Sequence, residues 1–251
     1  NFAAESFVDR SITDPNSFLV SNVRGTFTIL DIISKQKKRL VQISTDEVFG
    51  SLLSGSATED SKLNPSNPYS ATKAAAELLI NSYYNTFNSD VVITRCTNNY
   101  GPRQFAEKLI PKTFILAKQN KKIPIYGKGT NIRDWIFVDD HCDGILSSLL
   151  HGKSGQSYNI SGNNELDNIR IVKTILSLMG KSEDQIQFVE DRPGHDFRYS
   201  MDSSKISKEL NWKPKISFED GLRKTIQWYN ENEEIWKDIS SDILNHTPWK
   251  K

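Results

Sequence analysis

Apolar residues along this chain come in two rhythms, and the rhythms alternate. "RLVQIS" (39–44) is short, apolar and followed by turn residues, which predicts a buried strand. "DVVITRC" (90–96) is a continuous β-branched run and predicts a second. Between them, "YSATKAAAELLINSYYNTF" (69–87) carries apolar residues every three or four positions among Ala, Glu and Leu. That spacing predicts a helix. Pro65 and Pro68 stand just before it, where proline is tolerated. "EKLIPKTFILAKQN" (107–120) predicts another helix, with Pro111 in its first turn, and "IPIYG" (123–127) and "RDWIFV" (133–138) predict short strands. "DDHCDGILSSLLHG" (139–152) predicts a helix opening on capping acids and ending at Gly152. "SYNIS", "NIRIVKTILSLMG", "QIQFVE", "SSKISKEL" and "FEDGLRKTIQWYNENEEIWKDI" continue the alternation.

Strand–helix alternation with buried strands predicts an α/β fold, a parallel sheet covered by helices. After about Gly127 the segments shorten and turn more polar. The expectation is a nucleotide-type core over 1–125 and a smaller α/β lobe over 126–251, the chain crossing between them. The end, "NHTPWKK" (245–251), reads as a loose polar tail.

Composition narrows the function classes. Of 251 residues, 37% are hydrophobic and 25% charged, and the net charge is +1, so no basic footprint points to nucleic acid or an anionic membrane. No apolar run approaches the ~18–20 residues that span a bilayer. "NFAAESFVDRS" lacks the basic and apolar regions of a signal peptide. Cys96 and Cys142 form no metal or redox spacing, so they read as reduced packing thiols of a cytosolic protein, and no metal is expected.

The candidate chemistry gathers at strand ends. "STDE", Ser44 to Glu47, sets two adjacent carboxyls where a strand leaves the core. Solubility would explain them, but ligands in open α/β sheets bind beyond the carboxyl ends of strands. Tyr69 and Lys73 lie four apart, on one helix face, where an ammonium would lower the phenol pKa. The strand after that helix ends at Asn98, Asn99 and a Tyr-Gly-Pro turn. No strand-following glycine-rich phosphate loop occurs in the sequence, and "GKG" (127–129) reads as a turn.

Eight segments carry a resemblance: "AAES…D", "STDEVFG", "PYSATKAAAE", "TRCTNNYGPRQFAEKLIP", "YGKGTNIRDWIFVDDH", "YNISGNNE", "DRPGHDFRY" and "LNWKP". Together, from Asn1 to about Trp236, they resemble the nucleotide-sugar 4,6-dehydratases of the extended short-chain dehydrogenase/reductase superfamily. The resemblance implies a Rossmann-type doubly wound sheet, NAD as cofactor, a nucleotide-diphosphate sugar as substrate and a homodimer. The dimer would join through the helix after Tyr69 and the "EKLIP" helix. It also implies a further N-terminal stretch of about 80 residues, two to three βα units, carrying the glycine-rich loop. The chain as given is therefore not expected to hold the adenine half of NAD.

Carried over residue by residue, the resemblance makes Thr45, Asp46, Glu47, Tyr69 and Lys73 catalytic. Tyr69 would take the sugar 4-hydroxyl proton, Glu47 the C5 proton, and Asp46 would protonate the leaving C6 hydroxyl. Thr45 would bond the 4-oxygen, and Lys73 would tune Tyr69. Ala3, Ala4, Ser44, Tyr69, Lys73 and Asn98 would bind the cofactor. Ser6, Thr45, Asn98, Lys108, Leu109, Tyr126, Arg133, Asn168, Arg192 and His195 would bind the substrate. Lys108, Arg133 and Arg192 suit a diphosphate, although outside these motifs each would read as a surface ion pair. "RQF" (103–105) departs from the family pattern, which often has an aromatic residue or His there. A 4-epimerase on the same scaffold would leave both Asp46 and Glu47 idle, the related decarboxylating enzymes keep the Glu but lack the Asp, and a binding fragment without catalysis is a third reading. Trp135 is expected in the core, Trp212 packed near a turn, and "NENEEIWKD" on a solvated helix face.

Overall fold

The computed structural model describes residues 1–244, so the expected tail at 245–251 lies outside the described residues. The chain opens with helices that the periodicity reading passed over: α1 (Val8–Thr13), α2 (Pro15–Phe18), a π-helical turn (Leu19–Arg24) and α3 (Gly25–Gln36). Asp14 caps α2, its Oδ1 accepting from Ser17 N at 3.4 Å, with Pro15 in the first turn. Then come β1 (Leu40–Thr45), α4 (Pro68–Phe87), β2 (Val91–Cys96) and β3 (Asn98–Tyr100). Asn67 starts α4 through a reciprocal cap: Oδ1 accepts from Ser70 N at 2.9 Å, and Ser70 Oγ accepts from Asn67 N at 3.3 Å. Asn88, at φ 52°, ends it.

The second half runs α5 (Leu109–Lys118), β4 (Ile123–Tyr126), β5 (Ile132–Phe137), α6 (Val138–His151), β6 (Ser157–Ile160), β7 (Glu165–Asp167), α7 (Asn168–Leu178), β8 (Ile186–Val189), α8 (Ser204–Leu210) and α9 (Phe218–Glu231). Among the described residues the strands form three small sheets, ordered β1-β2-β6, β3-β5-β7 and β4-β8. Every pairing is parallel except β5 with β7. β1 and β2 run in register from Leu40 opposite Val91 to Thr45 opposite Cys96, so their carboxyl ends coincide. β6 returns to this sheet beside β2.

Packing explains the register. Ile80 of α4 meets Leu30 of α3 over Leu40, Val91 and Ile93, all buried. A larger core joins Tyr100, Phe114, Trp135, Phe137, Leu222, Tyr229 and Trp236 beneath α5, α7 and α9. Trp135 and Trp212 are both buried, and Trp212 Nε1 donates to Asp140 O at 3.1 Å.

Three expectations change. Asp139 and Asp140 do not cap α6, whose N-cap is Phe137. Asp140 turns away, and its Oδ2 accepts from Lys215 N and Ile216 N at 3.0 and 2.9 Å, pinning the approach to α9. "NENEEIWKD" is not a helix face, because α9 ends at Glu231. There the chain turns Trp236 into the core, where its Nε1 donates to Tyr229 O at 2.7 Å. Finally, α5 is buried on nearly all sides against its own chain, so it cannot supply half of a dimer face. Exposed apolar side chains occur on α4 (Leu78, Phe87) and on residues 19–32 (Leu19, Val20, Phe27, Ile32), and also on α6 (Leu146, Leu149, Leu150).

Candidate active site

β1 ends in a local device that separates two neighbouring carboxyls. Thr45 is extended, and its Oγ1 caps a 3₁₀ turn (Asp46–Phe49) by accepting from Glu47 N at 3.3 Å. The turn closes at Gly50, φ 69°, where a Cβ would stand 2.2 Å from Asn64 O, so only glycine fits. Asp46 points inward and is 4% exposed, whereas Glu47 faces a cavity. Asp46 Oδ1 lies 3.2 Å from Thr45 Oγ1, and Oδ2 has no partner among the described residues. Burial first, and then the charge of Glu47, push the Asp46 carboxyl well above its ordinary range. Glu47 is oriented from two sides. Asn67 Nδ2 donates to its Oε2 at 3.3 Å, and the Tyr199 hydroxyl lies 3.3 Å from the same oxygen. That hydroxyl is also 2.6 Å from Asp196 Oδ2, which Ser66 Oγ bonds in turn.

Tyr69 and Lys73 share one face of α4, buried against the end of β1. The expected tuning of the phenol is not what the structure shows. Burial, and next the charge of Glu47, raise Tyr69 well above the usual phenol range, against a smaller opposing hydrogen bond with Thr45. The ammonium that was to lower it is engaged elsewhere, since Lys73 Nζ donates to Ile43 O at 2.6 Å. Burial lowers the pKa of Lys73 itself. At the same strand end, Ser44 Oγ is buried with no partner among the described residues. Asn1 pairs with β1, its amino group donating to Val41 O at 2.6 Å and its carbonyl accepting from Ile43 N at 3.2 Å. Ala3, whose N–H donates to Asn1 Oδ1 at 3.1 Å, and Ala4 follow directly in the chain. A free hydroxyl, an amine and a phenol at one strand end fit the polyhydroxylated nicotinamide–ribose half of a dinucleotide.

The cavity in front of Glu47 measures about 180 Å³. Ser6, Asn98, Lys108, Leu109, Tyr126, Arg133, Asn168, Arg192 and His195 all line it, so every expected substrate residue but Thr45 reaches its wall. Thr45 stands behind Glu47 as its cap. Arg133 is fixed by main-chain carbonyls, donating to Ile132 O at 2.7 Å and Asp196 O at 2.9 Å, and its guanidinium stacks 4.3 Å over the Tyr199 ring. Lys108 Nζ donates to Ser6 O at 2.9 Å, and burial lowers its pKa. Burial, with Arg192 and Arg133 nearby, drops His195 to about 4. The ring is therefore neutral at neutral pH, its Nδ1 2.6 Å from Asp191 Oδ1. A larger groove of about 620 Å³ lies at Tyr100, Arg103, Asp139 and Trp228, but it holds none of the acid–base residues.

The sequence reading missed several wall residues. Asp9, Glu107 and Lys112 line the cavity, and Tyr199 and Asn67 hold Glu47. Asp9 and Tyr199 stand inside quoted motifs, the only signal available for them. Lys112 is one helical turn from Lys108 and so shares its face.

The family model described as GDP-mannose 4,6 dehydratase matches residues 1–225. A dTDP-glucose 4,6-dehydratase of Streptomyces niveus is 46% identical over 242 residues, covering 96% of this chain and 72% of the relative. The chain belongs to the nucleotide-sugar 4,6-dehydratase family.

The low-salt glycan biosynthesis protein Agl12 of Haloferax volcanii is 49% identical over 235 residues, covering 93% of this chain and 76% of its own. Among solved structures, the dTDP-glucose 4,6-dehydratase DesIV of Streptomyces venezuelae, crystallised with NAD bound, superposes with a TM-score of 0.93 at 46% identity. That match covers 94% of this chain and 74% of DesIV, and fixes the architecture as the Rossmann type of this family. A UDP-glucuronic acid 4-epimerase of Bacillus cereus is more distant, at 29% identity and a TM-score of 0.88 over 92% of this chain and 74% of its own. The scaffold is thus common to 4,6-dehydratases and 4-epimerases. No described helix is long and apolar enough to cross a membrane.

Proposed function

We propose that this chain carries the catalytic and nucleotide-sugar-binding parts of a dTDP-glucose 4,6-dehydratase, a hydro-lyase that removes water from the sugar. The observation that carries the reading is the division between Asp46, buried with its carboxyl pushed toward the neutral form, and Glu47, held against a cation-lined cavity. Bound NAD would supply a reversible hydride sink for C4 oxidation and C6 reduction. Ser44, Tyr69, Lys73, Asn98, Ala3 and Ala4 are the residues that would hold its nicotinamide half.

The protein's own groups then divide the proton transfers. Tyr69 takes the 4-hydroxyl proton, which requires its raised pKa to fall, and Lys73 is the cation able to bring this about on leaving Ile43 O. Thr45 hydrogen-bonds the 4-oxygen. The new carbonyl acidifies C5, and Glu47 removes that proton. Asp46 protonates the C6 hydroxyl, which leaves as water; a neutral buried carboxyl suits this work. Glu47 returns its proton to C5, Tyr69 loses one and Asp46 regains one, so the sugar has lost one water. Lys108, Arg133, Arg192, Tyr126, Asn168 and His195 hold the nucleotide diphosphate, with Arg133 and Arg192 as rigid donors.

Residues 1–125 are read as the remainder of the NAD-binding domain with its catalytic groups, and 126–251 as mainly the nucleotide-sugar lobe. A homodimer through the exposed apolar side chains of α4 and residues 19–32, and a cytoplasmic setting in keeping with two free thiols, complete the reading. The test is incubation of a full-length version, carrying the N-terminal glycine-rich stretch, with dTDP-glucose and NAD, followed by mass spectrometry. Loss of one water is expected. An isomer of unchanged mass would indicate an epimerase, and turnover of UDP-glucose in preference to dTDP-glucose would overturn the thymidine assignment.

A further inference from the structure

We propose that Asp9 is a positioning residue that sets Arg192 and Tyr126 together for the substrate diphosphate. The proposal rests on the nucleotide-sugar reading of the cavity. Asp9 belongs to α1 and is only 1% exposed, and a carboxyl group buried so far needs partners. Both come from remote parts of the chain. Arg192 Nη1 donates to Oδ1 at 2.8 Å, and the Tyr126 hydroxyl donates to Oδ2 at 2.9 Å. One carboxylate thus ties α1, the end of β4 and the loop after β8 into one cavity wall. The two partners bond different oxygens of the one carboxylate, so its orientation serves both at once.

This arrangement leaves the other side of the guanidinium available. Arg192 Nε is buried with no partner among the described residues, although the residue lines the cavity. A guanidinium anchored at Nη1 keeps its Nε side for a phosphate oxygen, and its planar fork makes that direction specific. The anchor matters because Asp191, Pro193 and Gly194, which flank Arg192, are all solvent-exposed. After Asp9, the next acid acting on Arg192 is Glu47, the proposed base. An opposing effect exists, since an anion beside a diphosphate repels it. The two effects predict opposite signs, which makes the question experimental.

The test is calorimetric titration of thymidine diphosphate into the protein, a readout that needs neither turnover nor NAD. Asp9→Ala is expected to weaken binding by about tenfold or more, the scale of one lost charge-assisted hydrogen bond. Asp9→Asn keeps an acceptor for Arg192 without the charge, and is expected to weaken it less, by about threefold. In an Arg192→Ala, Tyr126→Phe background, Asp9→Ala should change the affinity by no more than about twofold, because the groups it positions are gone. Binding by Asp9→Ala as tight as or tighter than the parent would overturn the proposal, since repulsion would then dominate. A full loss persisting in the double background would overturn it too, by showing that Asp9 acts elsewhere. If Asp9→Ala does not fold, Asp9→Asn decides alone, and unchanged or tighter binding refutes the role. A parent protein that does not bind thymidine diphosphate would instead sink the nucleotide reading, and this proposal with it.

Discussion

Replacing Asp46 by Asn should stabilise the folded chain, by an amount that grows with pH. The side chain is buried, Oδ1 shares a hydrogen bond with Thr45 and Oδ2 has no partner among the described residues. Burial first and Glu47 second raise its pKa, and the attraction of Arg133 is too small to reverse them. In the unfolded chain the carboxyl has the ordinary value, 3.8. Below that value both states are protonated and the group penalises neither. Above it the unfolded chain has lost a proton that the folded chain keeps. Stability then falls by about 1.4 kcal/mol per pH unit until the raised folded value is reached. Asn has no proton to hold, so the gain of Asp46→Asn over the parent rises with that same slope. The new amide brings a fixed offset, about 1–3 kcal/mol if its N–H groups stay unpaired, which moves the intercept and leaves the slope. Urea denaturation of both proteins over roughly pH 5 to 8 measures the difference directly. A difference flat in pH would mean that Asp46 is an ordinary carboxylate in the folded chain. The acid role in water elimination would then be lost. In turnover, the same variant should slow elimination by about 10²–10⁴-fold while C4 oxidation survives.

Two further outcomes test the surroundings of the site. Arg95 and Glu77 form a buried pair with three nitrogen–oxygen contacts of 2.7–3.1 Å, so Glu77→Ala should cost about 3–5 kcal/mol by stranding the arginine charge; a loss under about 1 kcal/mol in urea denaturation would show that the pair is solvated. His141 and His195 are both depressed to about 4 from 6.5, chiefly by burial, so the unfolded chain takes up protons first and stability should fall as pH drops from 6.5 toward 4. Replacing either by Asn should flatten this fall by about 1.4 kcal/mol per pH unit, and an unchanged slope in equilibrium denaturation would refute its burial in the neutral form.

The periodic segments were legible because their burial is one-sided or complete. The α4 pattern places Ile80 over β1 and β2, and the unbroken runs of β1 and β2 match strands buried on both faces. The first 36 residues were not legible in this way. α1 and α2 are too short to show a period, and a π-helical turn precedes α3. Asp140 shows a second limit. An acid at a helix start has the composition of a cap, but here the loop before α9 supplies two main-chain N–H donors that compete for it. At the site, the motifs brought nearly all expected substrate residues to one cavity. They did not reveal Asp9, because its meaning depends on contacts with residues 117 and 183 positions away. Nor could spacing say where the Lys73 ammonium goes. Four residues on a helix fix a shared face, and the carbonyl of Ile43 then decides the direction.

The adjacency of Asp46 and Glu47 has its own physical logic. Had both side chains continued along a regular strand, they would alternate across the sheet, and neither would need the other. The Thr45 cap bends the chain into a 3₁₀ turn, which puts one carboxyl under the turn and the other over the cavity. Their closeness is part of the device, because the charge of Glu47 adds to burial in raising the pKa of Asp46. A distant acid would lack that second push, and an exposed one would lack the first. Glu47 is held differently, between Asn67, which also caps α4, and Tyr199, which ties it to Asp196. The start of the helix bearing Tyr69 and Lys73 is therefore hydrogen-bonded to the very carboxylate they work beside. The different environments of the two acids thus follow from where the backbone turns, and exchanging the residues would put the longer side chain under the turn and the shorter one over the cavity even though the composition were unchanged.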